Sequence, residues 1–152
     1  RAIETVTQIA AFKDVVGLFF GAADASASLG CKLAWEPLLY ARHRVVLAAS
    51  MFNLFTIDAP YFYIDKMAGL KEEAEAVKNL GFTGKAAIHP DQIDYINEAF
   101  SPSAEEKAEA KKVLEEYQKS GGGAIKVDGQ MIDEPIAEAM RLKITLGEEE
   151  KK

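Results

Sequence analysis

Three short apolar runs constrain this chain more than any other feature. Val15-Val16-Gly17-Leu18-Phe19-Phe20, Leu54-Phe55-Thr56-Ile57-Asp58 and Gly84-Lys85-Ala86-Ala87-Ile88 are each of strand length; Gly21 follows the first, Asp58 ends the second and His89-Pro90 follows the third. The first is apolar throughout, which suits a strand buried on both faces of a parallel sheet. Between the runs the apolar residues change to helical spacing. Ile3, Val6, Ile9 and Ala10 mark a helix over 3–12. Leu39, Ala41, Val45, Val46 and Ala49 mark one over 36–50, and Leu70, Ala74 and Val77 mark one over 69–79; a shorter helix is predicted over 91–99. Strand alternating with helix is the pattern of a parallel α/β fold. A closed barrel of this kind needs eight strands and about 250 residues. Three strands therefore make either a small open sheet or part of a larger barrel.

The pattern changes after residue 100. Ser103-Ala104-Glu105-Glu106 predicts a capping box that opens a helix reaching about Lys119. Ser120-Gly121-Gly122-Gly123 breaks the chain. A strand-like piece (Ala124, Ile125, Val127) leads to the turn pair Asp128-Gly129. A last helix is predicted over 134–145, with Pro135 in its first turn. The expected division is 1–100 as the α/β part and 101–152 as an appended helical arm.

Charge and composition exclude several classes. The net charge is −6, against the basic face expected of a nucleic-acid binder. Cys31 is the only cysteine, so an internal disulfide framework and a cysteine-only metal site are ruled out, and a reducing intracellular compartment is the natural expectation. No apolar run reaches the roughly 18–20 residues of a membrane span. The run Gly147-Glu148-Glu149-Glu150-Lys151-Lys152 reads as a solvated tail. The sequence starts with Arg1, inside an expected helix, which leads us to expect a truncated or processed chain.

Four positions stand out for chemistry. Asp24 follows the first apolar run and Gly21, and functional groups of parallel α/β folds gather at such carboxyl ends. A carboxylate there suits Mg²⁺, and equally suits a helix cap. Asp58 closes the second run and suits a ligand contact or a loop cap. His89 closes the third and suits an acid–base role or a bond to a neighbouring loop. Asp133 precedes a helix, the ordinary place of an N-cap. The cluster Arg42-His43-Arg44 suits a phosphate contact or a helix face that is solvated or in contact with another subunit. No Ser-His-Asp order, HExxH motif or Cys/His metal spacing is present.

Several segments together resemble one family. Leu18-Phe-Phe-Gly-Ala-Ala-Asp24-Ala-Ser-Ala-Ser-Leu-Gly30 resembles the metal-site strand of the HpcH/HpaI aldolase–citrate lyase β-subunit superfamily. Leu38-Leu-Tyr-Ala-Arg-His-Arg-Val-Val46, Ile57-Asp58-Ala-Pro-Tyr61, Gly81-Phe-Thr-Gly-Lys-Ala-Ala-Ile-His-Pro90 and Phe100-Ser-Pro-Ser103 follow in order. Gly121-Gly-Gly-Ala-Ile-Lys-Val-Asp-Gly-Gln-Met-Ile-Asp-Glu-Pro135 is similar to the C-terminal motif of the citrate lyase β-subunit-like branch, whose members include malyl-CoA and citramalyl-CoA lyases. The resemblance implies strands six to eight of a TIM barrel plus a C-terminal arm, in a protein that acts as a trimer or hexamer. It implies Asp24 as one of two carboxylates holding Mg²⁺, Ile57 and Asp58 lining the acyl-CoA site, and Asp133 as the acid–base on an arm that reaches a neighbouring subunit. The implied compartment is the cytoplasm or the mitochondrial matrix.

One departure matters. The family's second metal ligand is a Glu in an Ile-Glu-Thr pattern, and Ile3-Glu4-Thr5 offers the same letters. Its interval to Asp24 is shorter than the family's by about half a dozen residues. Aligned without gaps, Glu4 falls on the following helix, which argues against it as a ligand. The implied function is a magnesium-dependent carbon–carbon lyase on a hydroxyacyl-CoA thioester, with this chain inactive alone. A non-catalytic half-barrel module and an acyl-CoA thioesterase on the same scaffold are the alternatives.

Overall fold

The computed structural model describes residues 2–149. The reading of 147–152 as a solvated tail rests on side chains outside the described residues, as does Arg1. The chain divides into two compact units, Arg1–Phe100 and Ser101–Lys152. Each is described on its own.

The first unit is a parallel sheet with helices. Its order is α1 (Val6–Ala10), β1 (Gly17–Phe19), α2 (Ala22–Leu29), α3 (Trp35–Ser50), β2 (Phe55–Asp58), α4 (Met67–Asn79), β3 (Gly84–Lys85), one 3-10 turn (Pro90–Gln92) and α5 (Ile93–Phe100). The strands lie in the order β1-β2-β3, all parallel, with Phe19 beside Ile57 and Asp58 beside Lys85. Helix α3 buries Leu38, Ala41, Val45, Ala48 and Ala49, a stripe at helical spacing, and α4 buries Leu70, Ala74 and Val77. With Leu18, Phe20 and Phe82, most of these form the main core.

The structure changes three expectations. The first apolar run is covered on one face only. Leu18 and Phe20 are buried, whereas Phe19 is 61% exposed and Phe55 on the neighbouring strand 67%. Among the described residues nothing covers that second face. Helix α2 was not expected, because its residues are mostly Ala and Ser and carry no large apolar period. Alanine has the highest helix propensity, and Gly30 closes the helix at φ +65°. There Cys31 N–H donates to Ser26 O at 3.1 Å and Gly30 N–H to Ala27 O at 3.3 Å. The third strand is shorter than its apolar run. After Lys85 the chain leaves the sheet, and Ile88 N–H is taken by the Gln92 side-chain oxygen at 2.9 Å.

The carboxyl end of β2 is tied to its surroundings by charge. Asp58 is fully buried. Arg42 Nε of α3 donates to its Oδ1 at 2.8 Å, and Lys85 Nζ of β3 to its Oδ2 at 3.0 Å. Lys85 also donates to Ala59 O and to Glu73 Oε1 of α4, both at 2.7 Å. All three ammonium protons therefore have acceptors. The four side chains sum to zero formal charge, which is what makes their burial tolerable. Beside them, Thr56 and Thr83 exchange side-chain and backbone hydrogen bonds at 2.9–3.1 Å, which sets the register of β3.

The second unit holds α6 (Ala104–Lys119), β4 (Ile125–Val127), β5 (Gln130–Ile132) and α7 (Glu134–Glu149). The expected capping box is present: Glu106 N–H donates to Ser103 Oγ, and Ser103 N–H to Glu106 Oε2. The expected strand proves to be half of an antiparallel hairpin, turned by Asp128 (φ 48°) and Gly129 (φ 89°). Its core is Val113, Tyr117, Val127, Ile132 and Ala137.

Asp58→Asn should destabilise the first unit by about 3–5 kcal/mol, because it takes the carboxylate from buried Arg42 and leaves Lys85 with Glu73 alone as its counter-charge. Lys71→Ala, which breaks the exposed Lys71–Glu98 pair, should leave the unfolding midpoint almost unchanged. Urea denaturation of both variants checks the contrast.

Candidate functional site

Asp24 sits in the first turn of α2, directly beyond the carboxyl end of β1. Gly21 lets its carboxylate fold back over the chain. A methyl group at Gly21 would meet Asp24 Oδ2 at 3.1 Å. Asp24 is exposed and lines a cavity of about 500 Å³. The walls are largely apolar, from Ile3, Ile9, Leu18, Leu29 and Val45, with Phe20 and Tyr40 among them. No hydrogen bond or ion pair engages the Asp24 carboxylate among the described residues. It is thus a hard oxygen donor at the edge of an apolar space.

Glu4 lines the same cavity. The sequence placed it on a helix; the structure places it in a turn just before α1, which begins at Val6. Its backbone oxygen accepts from Arg44 at 3.3 Å. Among the described residues no three Asp, Glu, His or Cys side chains come together as a metal shell. One or two carboxylates with room for water still fit Mg²⁺, which keeps much of its hydration when bound.

Ile57 and Asp58 end β2 and do not line this cavity. Ile57 is half-buried, and its carbonyl accepts the Phe20 N–H at 2.9 Å. Asp58, expected at an acyl-CoA, has its carboxylate occupied by Arg42 and Lys85. Its side chain therefore shapes the strand end through those partners. Arg42, expected on a solvated face or at a phosphate, is instead 3% exposed. Its guanidinium carbon lies 4.7 Å from the Trp35 ring centre and 5.2 Å from that of Phe20. Nε and Nη2 form a fork on Asp58, at 2.8 and 3.4 Å. Nη1 is the one buried side-chain nitrogen or oxygen without a hydrogen-bond partner among the described residues. An unmet buried donor of this kind costs about 1–3 kcal/mol.

A second, smaller recess of about 120 Å³ lies on Arg42's side of α3. Trp35, Leu38 and Arg42 line it, together with Tyr61, Phe62, Tyr63 and Glu73. The two recesses share no lining residue. Pro37, Ala41 and Val45 of the same helix face the Asp24 cavity, as a repeat of 3.6 residues per turn requires. Burial, and after it the Glu73 charge, pushes the Tyr61 phenol above its ordinary pKa, so it stays neutral at physiological pH.

His89 caps the 3-10 turn: its Nδ1 accepts the Asp91 N–H at 3.3 Å. Sequence reasoning missed Lys85 and Gln92. Lys85 sits inside an apolar run, where a buried cation leaves no periodic signal. Gln92 bridges the Ile88 N–H and Tyr61 O, both at 2.9 Å.

Asp133 belongs to the second unit. It caps α7, with Oδ1 accepting the Ile136 N–H at 3.3 Å and its backbone oxygen accepting from Ala137 at 2.9 Å. Beside it, Arg141 and then Tyr117 hold the Glu134 carboxyl below its ordinary pKa.

The sequence pattern of the HpcH/HpaI aldolase/citrate lyase family matches residues 1–90. Citramalyl-CoA lyase, mitochondrial, of Homo sapiens is 38% identical over 144 residues, which are 91% of this chain and 42% of that protein. The citrate lyase β subunit of Haemophilus influenzae is 33% identical over 146 residues, 92% of this chain and 50% of that one. The crystal structure of the protein CitE from Mycobacterium tuberculosis, in complex with magnesium, acetoacetate and coenzyme A, superposes with a TM-score of 0.87 at 32% identity. That match covers 97% of this chain and 58% of CitE. The chain spans about half the length of the curated relatives it matches. No helix among the described residues is long and apolar enough to cross a membrane. With its α/β architecture and its first 90 residues both matched, the chain belongs to the HpcH/HpaI aldolase/citrate lyase family.

Proposed function

We propose that this chain supplies part of the active centre of a magnesium-dependent lyase that cleaves a carbon–carbon bond in a hydroxyacyl-CoA thioester. The observation that carries the reading is the unengaged Asp24 carboxylate at a strand end, on the wall of a cavity of about 500 Å³. Family membership supplies the chemical class. Coenzyme A and magnesium in the solved CitE complex support the choice of substrate and ion. In this reading β1, β2 and β3 are barrel strands six, seven and eight. The complete centre needs further strands, and the protein works as a trimer or hexamer.

Asp24 would hold the ion, which supplies charge stabilisation for a developing enolate. In the cleavage direction Asp133, carried on the arm of a neighbouring subunit, accepts the proton of the substrate hydroxyl. The carbon–carbon bond then breaks, the hydroxyl carbon becomes a carbonyl, and the bonding pair passes to the thioester fragment as an enolate. The helix-cap hydrogen bond from Ile136 N–H fixes the orientation of the Asp133 carboxylate. Asp58 holds the end of β2, with Ile57, where the acyl-CoA would lie. Glu4 stays outside the ligand set, because its interval to Asp24 does not match the family's.

A second reading rests on the bare face of the sheet. Phe19 and Phe55 are exposed there, and the outer edges of β1 and β3 are unpaired among the described residues. Such edges recruit further strands. A half-barrel assembly module without its own catalysis would use them.

Calorimetric titration should show Mg²⁺ binding that Asp24→Asn weakens at least tenfold and Glu4→Gln changes less than twofold. Equal losses in the two variants would bring Glu4 back as a ligand. Incubating the 152-residue chain with citramalyl-CoA or malyl-CoA should give little cleavage; rapid Mg²⁺-dependent turnover would refute the need for further strands. With the complete protein the expected products are an α-keto acid or glyoxylate and a smaller acyl-CoA. Free CoA with the intact hydroxy acid would instead identify a thioesterase. Sedimentation velocity of the chain should show self-association through the bare sheet face, and a monodisperse monomer would count against both readings of that face.

A further inference from the structure

The three parallel strands of the first unit bring their carboxyl ends to one edge of the sheet. Residues 59–63 leave β2 there, and residues 86–89 leave β3 beside them. The backbone ladder between these two segments stops early. Among the described residues its last bond is Ala86 N–H donating to Asp58 O at 3.0 Å. Lys85 then holds the start of 59–63 through Ala59 O at 2.7 Å.

Beyond that point one side chain joins the two segments. Gln92 closes the 3-10 turn Pro90–Gln92 and is fully buried. Its Oε1 accepts the Ile88 N–H and its Nε2 donates to Tyr61 O, both at 2.9 Å. A carboxylate only accepts and an ammonium only donates, whereas an amide does both without charge. Each partner is itself set against rigid structure. The Tyr61 hydroxyl seats against Gly69 of α4, where any Cβ would collide with it. The Tyr61 ring meets Tyr63 edge to face at 5.5 Å. On the other segment, His89 caps the turn that carries Gln92. The large side chains that the two segments present outward are apolar: Phe62 and Tyr63 from one, Ile88 from the other, all exposed. Gln92 lies beneath them and sets how far apart their backbones stand.

We propose that Gln92 is a positioning residue for the thioester: by tying 59–63 to 86–89 it fixes the surface on which the acyl-CoA rests, and it leaves the bond-breaking step alone. The place of the acyl-CoA at the end of β2 is that of the lyase reading, on which this role depends. The cavity beside Asp24 is lined by no residue beyond Val45, so the tie acts on the thioester and not on the ion.

In the complete protein Gln92→Met keeps an unbranched side chain of similar length and removes both hydrogen bonds. KM for citramalyl-CoA or malyl-CoA should rise about tenfold, the scale on which one lost buried hydrogen bond weighs. The kcat and the Mg²⁺ affinity should change less than about twofold, the pattern of lost binding rather than lost chemistry. Calorimetric titration with coenzyme A should show the same loss without turnover. Val77→Ala, which truncates the buried core face of α4, lowers stability and should leave KM unchanged. Gln92→Glu has a signature of its own. Protonated, its carboxyl restores both donor and acceptor; ionised, it only accepts, and it faces the Tyr61 carbonyl. Its KM, divided at each pH by that of the unmutated protein to cancel the neighbouring His89, Asp91 and Glu73, should fall towards parity as the pH is lowered. That comparison holds even if Gln92→Met does not fold. A pH-independent ratio, a fall in kcat as large as the rise in KM, or an equal KM rise in Val77→Ala would overturn the proposal. So would coenzyme A affinity that is unchanged in Gln92→Met, or absent in the unmutated protein. Weakened coenzyme A binding in Gln92→Met of a protein that cleaves neither thioester refutes the lyase reading alone. Cleavage with undisturbed coenzyme A affinity refutes the role of Gln92 alone.

Discussion

A buried carboxylate with two cations on it organises the first unit. Asp58 ends the central strand, and its oxygens are taken by Arg42 from α3 and Lys85 from β3. Lys85 then reaches Glu73 on α4. In a medium of low dielectric these charges attract strongly, but each is costly to leave alone. One residue thereby fixes two helices and a neighbouring strand around a single strand end. The short β3, with only Gly84 and Lys85 in the sheet, depends on this anchoring and on the reciprocal Thr56–Thr83 bonds more than on ladder length.

The network also explains why α3 separates two different recesses. Arg42 is drawn inward to Asp58, and its guanidinium lies over both the Phe20 and the Trp35 ring. The face carrying Trp35, Leu38 and Arg42 then lines the aromatic recess, and the face carrying Pro37, Ala41 and Val45 lines the cavity beside Asp24. Two aspartates, each just past an apolar run, thus meet opposite environments. Asp58 is fully buried and fully engaged. Asp24 is exposed and unengaged, on a helix turn that puts its carboxylate over Gly21. Only the second has coordination capacity to offer an ion.

Much of the fold was legible because its signals are local. The helical stripes of α3 and α4, the Ser103–Glu106 capping box and the Asp128-Gly129 turn each follow from residues a few positions apart. The structure places all of them where the spacing predicts. What was not legible depends on partners distant in sequence. Helix α2 is built of small residues with no apolar period, and Ala propensity with the Gly30 cap forms it. Strand β5 has only Met131 and Ile132 as apolar residues, and it pairs because the turn folds it onto Ile125–Val127. The end of β3 is set by a side-chain oxygen of Gln92, which no pattern of hydrophobicity encodes. At the candidate site, Asp24, Asp58, His89 and Asp133 could be singled out by position. Only for Asp58, His89 and Asp133 does the structure name the groups that hold them.

By itself, the sequence determined the alternation of strands and helices, the parallel α/β class and the family's motifs, because periodicity and turn chemistry act within a few residues. The tertiary structure decided which charged side chains are spent on holding the fold and which are left for chemistry. Arg42 reads in sequence as one of three basic residues on a helix surface; 16 positions away, Asp58 turns it inward. Lys85, 27 positions from the same carboxylate, becomes an internal strut. The physical reason is that a charge enters the interior only where a partner of opposite sign is already held, and that partner is brought near by the fold rather than by the chain.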